Sequence, residues 1–333
     1  MKVNKFSVLI LVFIMIAFSS CSGGVSPIKG DKDDLKVVAN VFGNDVCLEE
    51  VKYLTFNYKL EMENKYGEGI WDAPDSSEFY RDELEGKVYA AMLQNPVLLS
   101  FYEEYDVDID DKDTKNAVQE YINSVSEEMG GIESYKKQLK ENGISDHHLR
   151  YMLALEMSRE ELRQKFLEAG LIDDADEIAR TFIESDEVIR TLHVYICNDA
   201  GDDIEENRAL AKKVVSLLDE GEPITRMIGR YSEDFYMTTT DGYYFMRGEY
   251  EEAYENAVFA LGVDEYSGVV EGENGFYVIM RLPKESEYIE KNFADLKDRY
   301  IYVLFENVIN ERLATAELVY TDYGKNIDIL NLE

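Results

Sequence analysis

At 333 residues and 45% hydrophobic content, the chain is long enough to bury the cores of two compact domains. Its formal net charge of -35 repels nucleic-acid phosphates and anionic lipid headgroups, which excludes a nucleic-acid partner. The same charge attracts basic, unfolded polypeptides, although general acidification of an exported protein gives an identical balance. Three cysteines and three histidines fall at no spacing that suits zinc, so neither metal nor cofactor is expected.

The N-terminus begins with Lys2 and Lys5, followed by an apolar run over 6–18 broken only by Ser7. That run is too short to span a bilayer, and the small residues Ser19 and Ser20 precede Cys21. Residues 1–20 read as a secretory signal. Cys21 at the cut position resembles a bacterial lipobox, which implies lipidation of Cys21 and a membrane anchor facing the extracytoplasmic side. Phe18 stands where that pattern carries an aliphatic residue, and an ordinary signal peptide with an incidental cysteine is the alternative. Residues 21–34 are polar and contain Gly23-Gly24, as in a flexible tether. Cys47 and Cys197 are far apart, have no framework spacing, and read as buried small apolar residues.

From 35 to 187 the pattern is mostly helical. Residues 37–46 read as a strand, a Gly43-Asn44 turn and a return. Helices follow over 48–65 and 77–105, the second kinked at Pro96. Capping residues at 110–113 start a helix over 114–129, which Gly130-Gly131 ends. A short helix over 132–141 stops at Asn142-Gly143, and Ser145-Asp146 opens another through 166. This order resembles the chaperone domain of SurA-type and PrsA-type proteins, where a short strand and turn precede the first helix.

Between 188 and 283 the periodicity changes. A strand over 191–196 contains His193. A helix over 205–220 places Leu210, Val214 and Leu217 on one face and stops at Gly221. A helical turn over 224–230 leads into Tyr231-Ser232-Glu233-Asp234. A helix over 251–261 precedes strands at 269–270 and 276–282, joined by a turn over 272–275. The ordered series is His193, Gly229-Arg230-Tyr231-Ser232-Glu233-Asp234, Phe245-Met246-Arg247-Gly248, Ala257-Val258-Phe259-Ala260-Leu261 and Gly275-Phe276-Tyr277-Val278-Ile279. It resembles a parvulin-type (PpiC, rotamase) peptidyl-prolyl isomerase domain. A long helix over 293–318 and a tail complete the chain. In the families resembled, the C-terminal segment packs back on the N-terminal helices. The implied fold class is therefore α+β. It has a discontinuous, mostly helical, SurA N-terminal-like chaperone domain over 35–187 and 284–333, and an inserted parvulin-like domain of a small antiparallel sheet and helices over 188–283.

The implied chemistry is rotation about X-Pro bonds. Amide resonance sets a barrier of roughly 18–20 kcal/mol, and a catalyst must bind the twisted imide better than either planar isomer. That requires an apolar socket for the proline ring and a polar network beside the imide. The resemblance puts His193 at the first histidine of that network and Asp234 at its cysteine or aspartate. Tyr277 stands where the family carries a second histidine. Phe245 of the socket is kept, Tyr250 and Tyr254 replace its methionine and phenylalanine, and Asn274 lies where a small hydroxyl residue is usual. The turn Thr240-Asp241-Gly242-Tyr243 keeps the aspartate of the usual Gly-Asp-Leu-Gly. Each residue also has a bland reading, as core aromatic, sheet histidine or turn cap. Two functions follow: a lipid-anchored foldase that isomerises X-Pro bonds in exported polypeptides, or a non-catalytic holdase whose tyrosine-lined groove grips extended chains. The expected partners are unfolded or folding exported polypeptides and, through Cys21, the membrane.

Overall fold

The computed structural model describes Lys32 and residues 34–72, 76–198, 203–237 and 241–332. The signal over 1–20, Cys21, nearly all of the tether over 21–34, and Thr240 lie outside the described residues. The chain divides into two compact units: residues up to Glu168 together with those from Val308 onward, and Ala169–Asn307.

In the first unit, β1 (Val37–Val41) and β2 (Asn44–Cys47) pair antiparallel, with Val41 opposite Asn44. The turn is Phe42-Gly43 rather than the expected Gly43-Asn44. Both residues take positive φ, 52° and 95°, the geometry whose twist matches that of paired strands. The short C-terminal strand Val319–Tyr320 pairs antiparallel with the other side of β1, so β1 is the centre of a three-stranded sheet. The tail thus closes on the N-terminal hairpin.

Helix Leu48–Tyr66 follows β2 directly. The segment expected as one kinked helix over 77–105 is two helices, Ser77–Met92 and Gln94–Glu104. Pro96 has no amide proton to give the carbonyl four residues back, and the ladder restarts with Val97 N donating to Leu93 O at 3.2 Å. Helix Lys112–Glu128 is capped by Asp111, whose side chain accepts from the amides of Asp113 and Thr114. Ile132–Glu141 follows, then Asp146–Met157 with Ser145 accepting from the His148 amide. The expected helix through 166 breaks at Ser158 and resumes as Arg159–Glu168. The Ser158 hydroxyl donates to the Ala154 carbonyl at 2.8 Å, a back-bond that competes with the helical ladder. Phe166 is 0% exposed and meets Phe101 and Tyr105 edge-on.

The second unit is built on a four-stranded antiparallel sheet in the order β4 (Tyr243–Met246), β3 (Val188–Cys197), β6 (Gly275–Leu282), β5 (Val270–Gly272). Both faces of β3 are covered, so it is buried along almost its whole length. Leu192, Val194 and Ile196 point to the face covered by helices Ile204–Asp219 and Ile224–Tyr231, against Ala211, Val214 and Met227. With a side-chain period of two, Ile189, Thr191, His193 and Tyr195 share the opposite face. Helix Glu252–Phe259 covers that side with Tyr254 and Val258. β4 and the amphipathic helix Asp176–Glu184 were not anticipated.

The long helix is Phe293–Leu313. It ends before the expected 318 as the Thr315 hydroxyl turns back onto the Arg312 carbonyl. Residues 284–307 cluster with the second unit, whereas the sequence reading placed them on the N-terminal helices. The cause is specific pairing: Arg299 bonds Glu249 and the Tyr244 carbonyl at 2.6 Å, Lys297 pairs with Asp176 at 2.7 Å, and Tyr300 packs on Phe182. From Val308 onward the chain belongs to the first unit, where Arg312 bonds Glu104 and lies over the Phe101 ring. Cys47 and Cys197 are half-buried rather than fully buried. No helix of the described residues is long and apolar enough to cross a membrane.

Candidate functional site

The site lies on the face of β3 covered by helix Glu252–Phe259, in the second unit. His193 is 2% exposed, and both ring nitrogens are engaged. Nε2 lies 3.1 Å from Asp234 Oδ2, and Nδ1 lies 3.0 Å from the Tyr254 hydroxyl. The Tyr254 hydroxyl is in turn 3.0 Å from that of Thr191, two residues before His193 on the same face. Asp234 is held from three sides. Besides His193, the Tyr243 hydroxyl donates to Oδ2 at 2.9 Å and the Tyr236 amide to Oδ1 at 2.9 Å. The loop that carries Asp234 is tied to β3 by Glu233 N donating to Tyr195 O at 2.8 Å and Tyr195 N donating to Ser232 Oγ at 3.1 Å.

These bonds set the charges. The His193 hydrogen bond, with the Tyr236 amide and the Tyr243 hydroxyl behind it, holds Asp234 down to about 2 against desolvation. An ionised Asp234 assigns the Nε2–H tautomer to His193, which leaves Nδ1 to accept from Tyr254 and Tyr254 to accept from Thr191. Burial pushes the Tyr254 hydroxyl well above its ordinary value and Tyr250 up to about 12. All of these tyrosines remain neutral donors at physiological pH.

Tyr277 does not occupy the network. The register sets it opposite Tyr195, and the two rings stack at 4.7 Å. It meets His193 only edge-on, with centroids 5.4 Å apart. Its hydroxyl interacts with Glu251, and burial raises it strongly. Glu251 also accepts from the Glu273 amide at 2.6 Å. Gly272 lies close against this pair, and a Cβ there would displace the Glu251 carboxylate or the Tyr277 ring.

Residues 180–284 match the family model of the PPIC-type PPIase domain, and residues 1–163 match that of the SurA-like N-terminal domain. The chain joins a SurA-like domain to a PPIC-type domain. Foldase protein PrsA 1 of Listeria monocytogenes serotype 4b (strain F2365) is 32% identical over 37% of this chain and 42% of its own length. Foldase protein PrsA of Geobacillus kaustophilus (strain HTA426) is 24% identical over 70% of this chain and 74% of its own. Against the first of these the chain therefore spans less than half of the relative's length. The crystal structure of foldase protein PrsA from Streptococcus pneumoniae str. Canada MDR_19A aligns at 17% identity, with TM-score 0.38, over 89% of this chain and 99% of that one.

Within the PPIC-type domain, His193, Asp234, Phe245, Tyr250, Tyr254 and Tyr277 converge on one aromatic cluster. Phe245 meets Tyr250 at 5.3 Å and Tyr254 at 5.6 Å, and Tyr250 stacks on Tyr254 at 4.6 Å. Their exposure separates them. Phe245 and Tyr254 are 1% and 0% exposed and back the site, whereas Tyr250 and Tyr277 are half-buried. Asn274 is an exposed turn residue whose backbone carbonyl accepts from the Tyr195 hydroxyl at 2.9 Å. Sequence reasoning passed over Thr191, Tyr195 and Glu251, and met Tyr243 only as the bulky last residue of the turn over 240–243. Positions 191 and 195 were accessible to it, since a strand through His193 puts residues two away on the same face. Glu251 comes from a separate element and carries no local signal.

Proposed function

We propose that the protein is an extracytoplasmic foldase of exported polypeptides, anchored to the bacterial membrane through a lipidated Cys21. The first unit holds unfolded segments and the PPIC-type domain turns over X-Pro bonds. The observation that carries the isomerase reading is the His193–Asp234 pair at 3.1 Å. It places a fixed dipole and a fixed negative charge beside the half-buried rings of Tyr243, Tyr250 and Tyr277. A twisted imide loses its amide resonance, so its nitrogen gains a lone pair and its carbonyl loses partial negative charge. Preorganised donors and charges that favour this state over planar amides lower the barrier without covalent chemistry. His193 and Asp234, with Tyr277 edge-on beside the imidazole, would form the polar side, and Tyr250 and Asn274 the substrate side, backed by Phe245 and Tyr254.

A second reading is favoured by the burial of the socket aromatics. Phe245 and Tyr254 at 1% and 0% exposure leave the proline ring no apolar floor unless Tyr250 swings away. In a non-catalytic holdase the tyrosine surface would grip chains without turning them over.

A protease-coupled assay on proline peptides, run beside an aggregation assay on an unfolded client, separates the two. The foldase gives turnover that His193→Ala abolishes while aggregation suppression survives. Absence of turnover in the wild type with suppression retained would leave the holdase. Membrane retention that Cys21→Ala does not alter would remove the anchor.

A further inference from the structure

Helix Ser77–Met92 of the first unit contains Gly86 in its interior, and a Cβ built there meets nothing within 4 Å. Packing does not require this glycine, and it weakens a helix relative to alanine. Gly86 lines a cavity of 610 Å³ between this helix, β1 and the C-terminal tail. That volume lies within the range of about 300–1,000 Å³ common to ligand pockets.

The lining has three parts. Val38, Val51, Val88 and Met92 form a buried apolar floor. Tyr89 and Tyr320, 41% and 37% exposed, stand as aromatic walls. Asp82 and Glu85 lie three residues apart at the mouth, and neither has a hydrogen-bond or ion-pair partner among the described residues. The cation on the tail side, Lys325, is occupied by Asp322 at 3.1 Å.

We propose that this cavity is a binding site for a lysine or arginine side chain presented by an extended polypeptide. A long basic side chain fits each part of it. The methylene stem covers the apolar floor, the cation passes the tyrosine faces, and its charge meets the two free carboxylates. The bare helix surface at Gly86 admits the backbone of the bound segment. The net charge of -35 draws basic segments toward the molecule from a distance, and the cavity gives that general attraction a specific end point. This deepens the client-holding reading above and rests on it.

The test is fluorescence anisotropy on the full-length chain with a short labelled peptide alternating leucine and lysine, beside one alternating leucine and glutamate. The lysine peptide binds and the glutamate peptide does not. Gly86→Trp fills the mouth without altering the net charge and weakens binding tenfold or more. Asp82→Asn combined with Glu85→Gln weakens it about threefold to tenfold and flattens its salt dependence, as expected for exposed pairs. Gly86→Ala, which adds only a methyl group, retains binding and shows that the helix tolerates substitution at 86. Wild-type affinity in a folded Gly86→Trp, or equal binding of both peptides, overturns the proposal. If the wild type fails to suppress client aggregation, the client-holding reading falls, and the peptide titration alone still decides the cavity.

Discussion

The Tyr254 hydroxyl sits 3.0 Å from Nδ1 of His193 and 3.0 Å from the hydroxyl of Thr191. From helix Glu252–Phe259 it therefore satisfies the inner nitrogen of the imidazole and fixes the ring. Tyr277, which the sequence reading put at the second-histidine position, stacks on Tyr195 and turns its hydroxyl toward Glu251.

Tyr254→Phe keeps the stacked ring and removes only the hydroxyl. Nδ1 of His193 is then a buried acceptor without a donor, which costs about 1–3 kcal/mol of stability. The unprotonated Nδ1 resonance of His193 should move toward that of a free imidazole nitrogen, and any isomerase kcat/KM should fall several-fold. An unchanged nitrogen resonance would show that the Tyr254 hydroxyl does not bond the ring. Tyr277→Phe should leave that resonance in place.

Asp234 anchors a loop as well as a ring. Its carboxylate accepts from Tyr243, from the Tyr236 amide and, in the assigned tautomer, from His193. Its folded value of about 2 lies below the ordinary 3.8, so its stabilising contribution is present above the unfolded value and is lost as pH falls through about 2. Asp234→Asn removes that acid-limb loss and loosens the loop bearing Phe235 and Tyr236, which are already 90% and 89% exposed. Chemical denaturation between pH 5 and pH 2 (roughly the window set by the two values) should give a flatter curve for the variant. Parallel curves would mean that the carboxylate contributes nothing specific.

Much of the second unit was legible because its signals are local. The strand through His193, the helix at 204–219, the stop at Gly221 and the hairpin closing at Gly275 each follow from periodicity or turn chemistry. The site residues at 193 and 234 came from ordered motifs. What could not be read was long-range. Whether Tyr254 or Tyr277 meets His193 depends on how helix Glu252–Phe259 lies across β3. The assignment of residues 284–307 depends on Arg299 finding Glu249 fifty residues earlier. The break at Ser158 was missed because a serine in a helix interior is unremarkable until its hydroxyl back-bonds.

Phe166 is part of the buried core of the first unit. It is 0% exposed and lies 5.1 Å from Phe101 and 5.2 Å from Tyr105, ring centre to ring centre. Phe166→Ala opens a cavity at this junction and should destabilise the first unit by about 3–5 kcal/mol. Urea unfolding followed by far-UV circular dichroism reads the loss. A shift below about 1 kcal/mol would mean that the neighbouring helices collapse into the gap.

The first unit also carries two buried ionisable groups with opposed pH preferences. Glu50 is 4% exposed, accepts from the Asn95 amide at 2.7 Å, and is pushed up to about 7 by burial. His148 is 2% exposed, has no hydrogen-bond partner for Nε2 among the described residues, packs against Tyr53 and Tyr151, and is pushed down to about 4 by burial. Glu49 acts electrostatically on both and is bonded to Ser145 at 2.7 Å and to His147 at 2.6 Å. For Glu50 the folded value is raised, so its contribution is full below 4.5 and is lost as pH rises through about 7. For His148 the folded value is depressed, so its contribution is full above 6.5 and is lost as pH falls through about 4. Each shift corresponds to a limit of a few kcal/mol, and between 4.5 and 6.5 the two slopes oppose one another. Glu50→Gln keeps the acceptor for Asn95 and removes the charge, so its stability should hold on the alkaline side where the wild type declines. His148→Leu should hold on the acid side. Denaturation midpoints measured across this range should diverge from the wild type in opposite directions, and variants that track the wild-type profile at every pH would show that neither buried group titrates with folding.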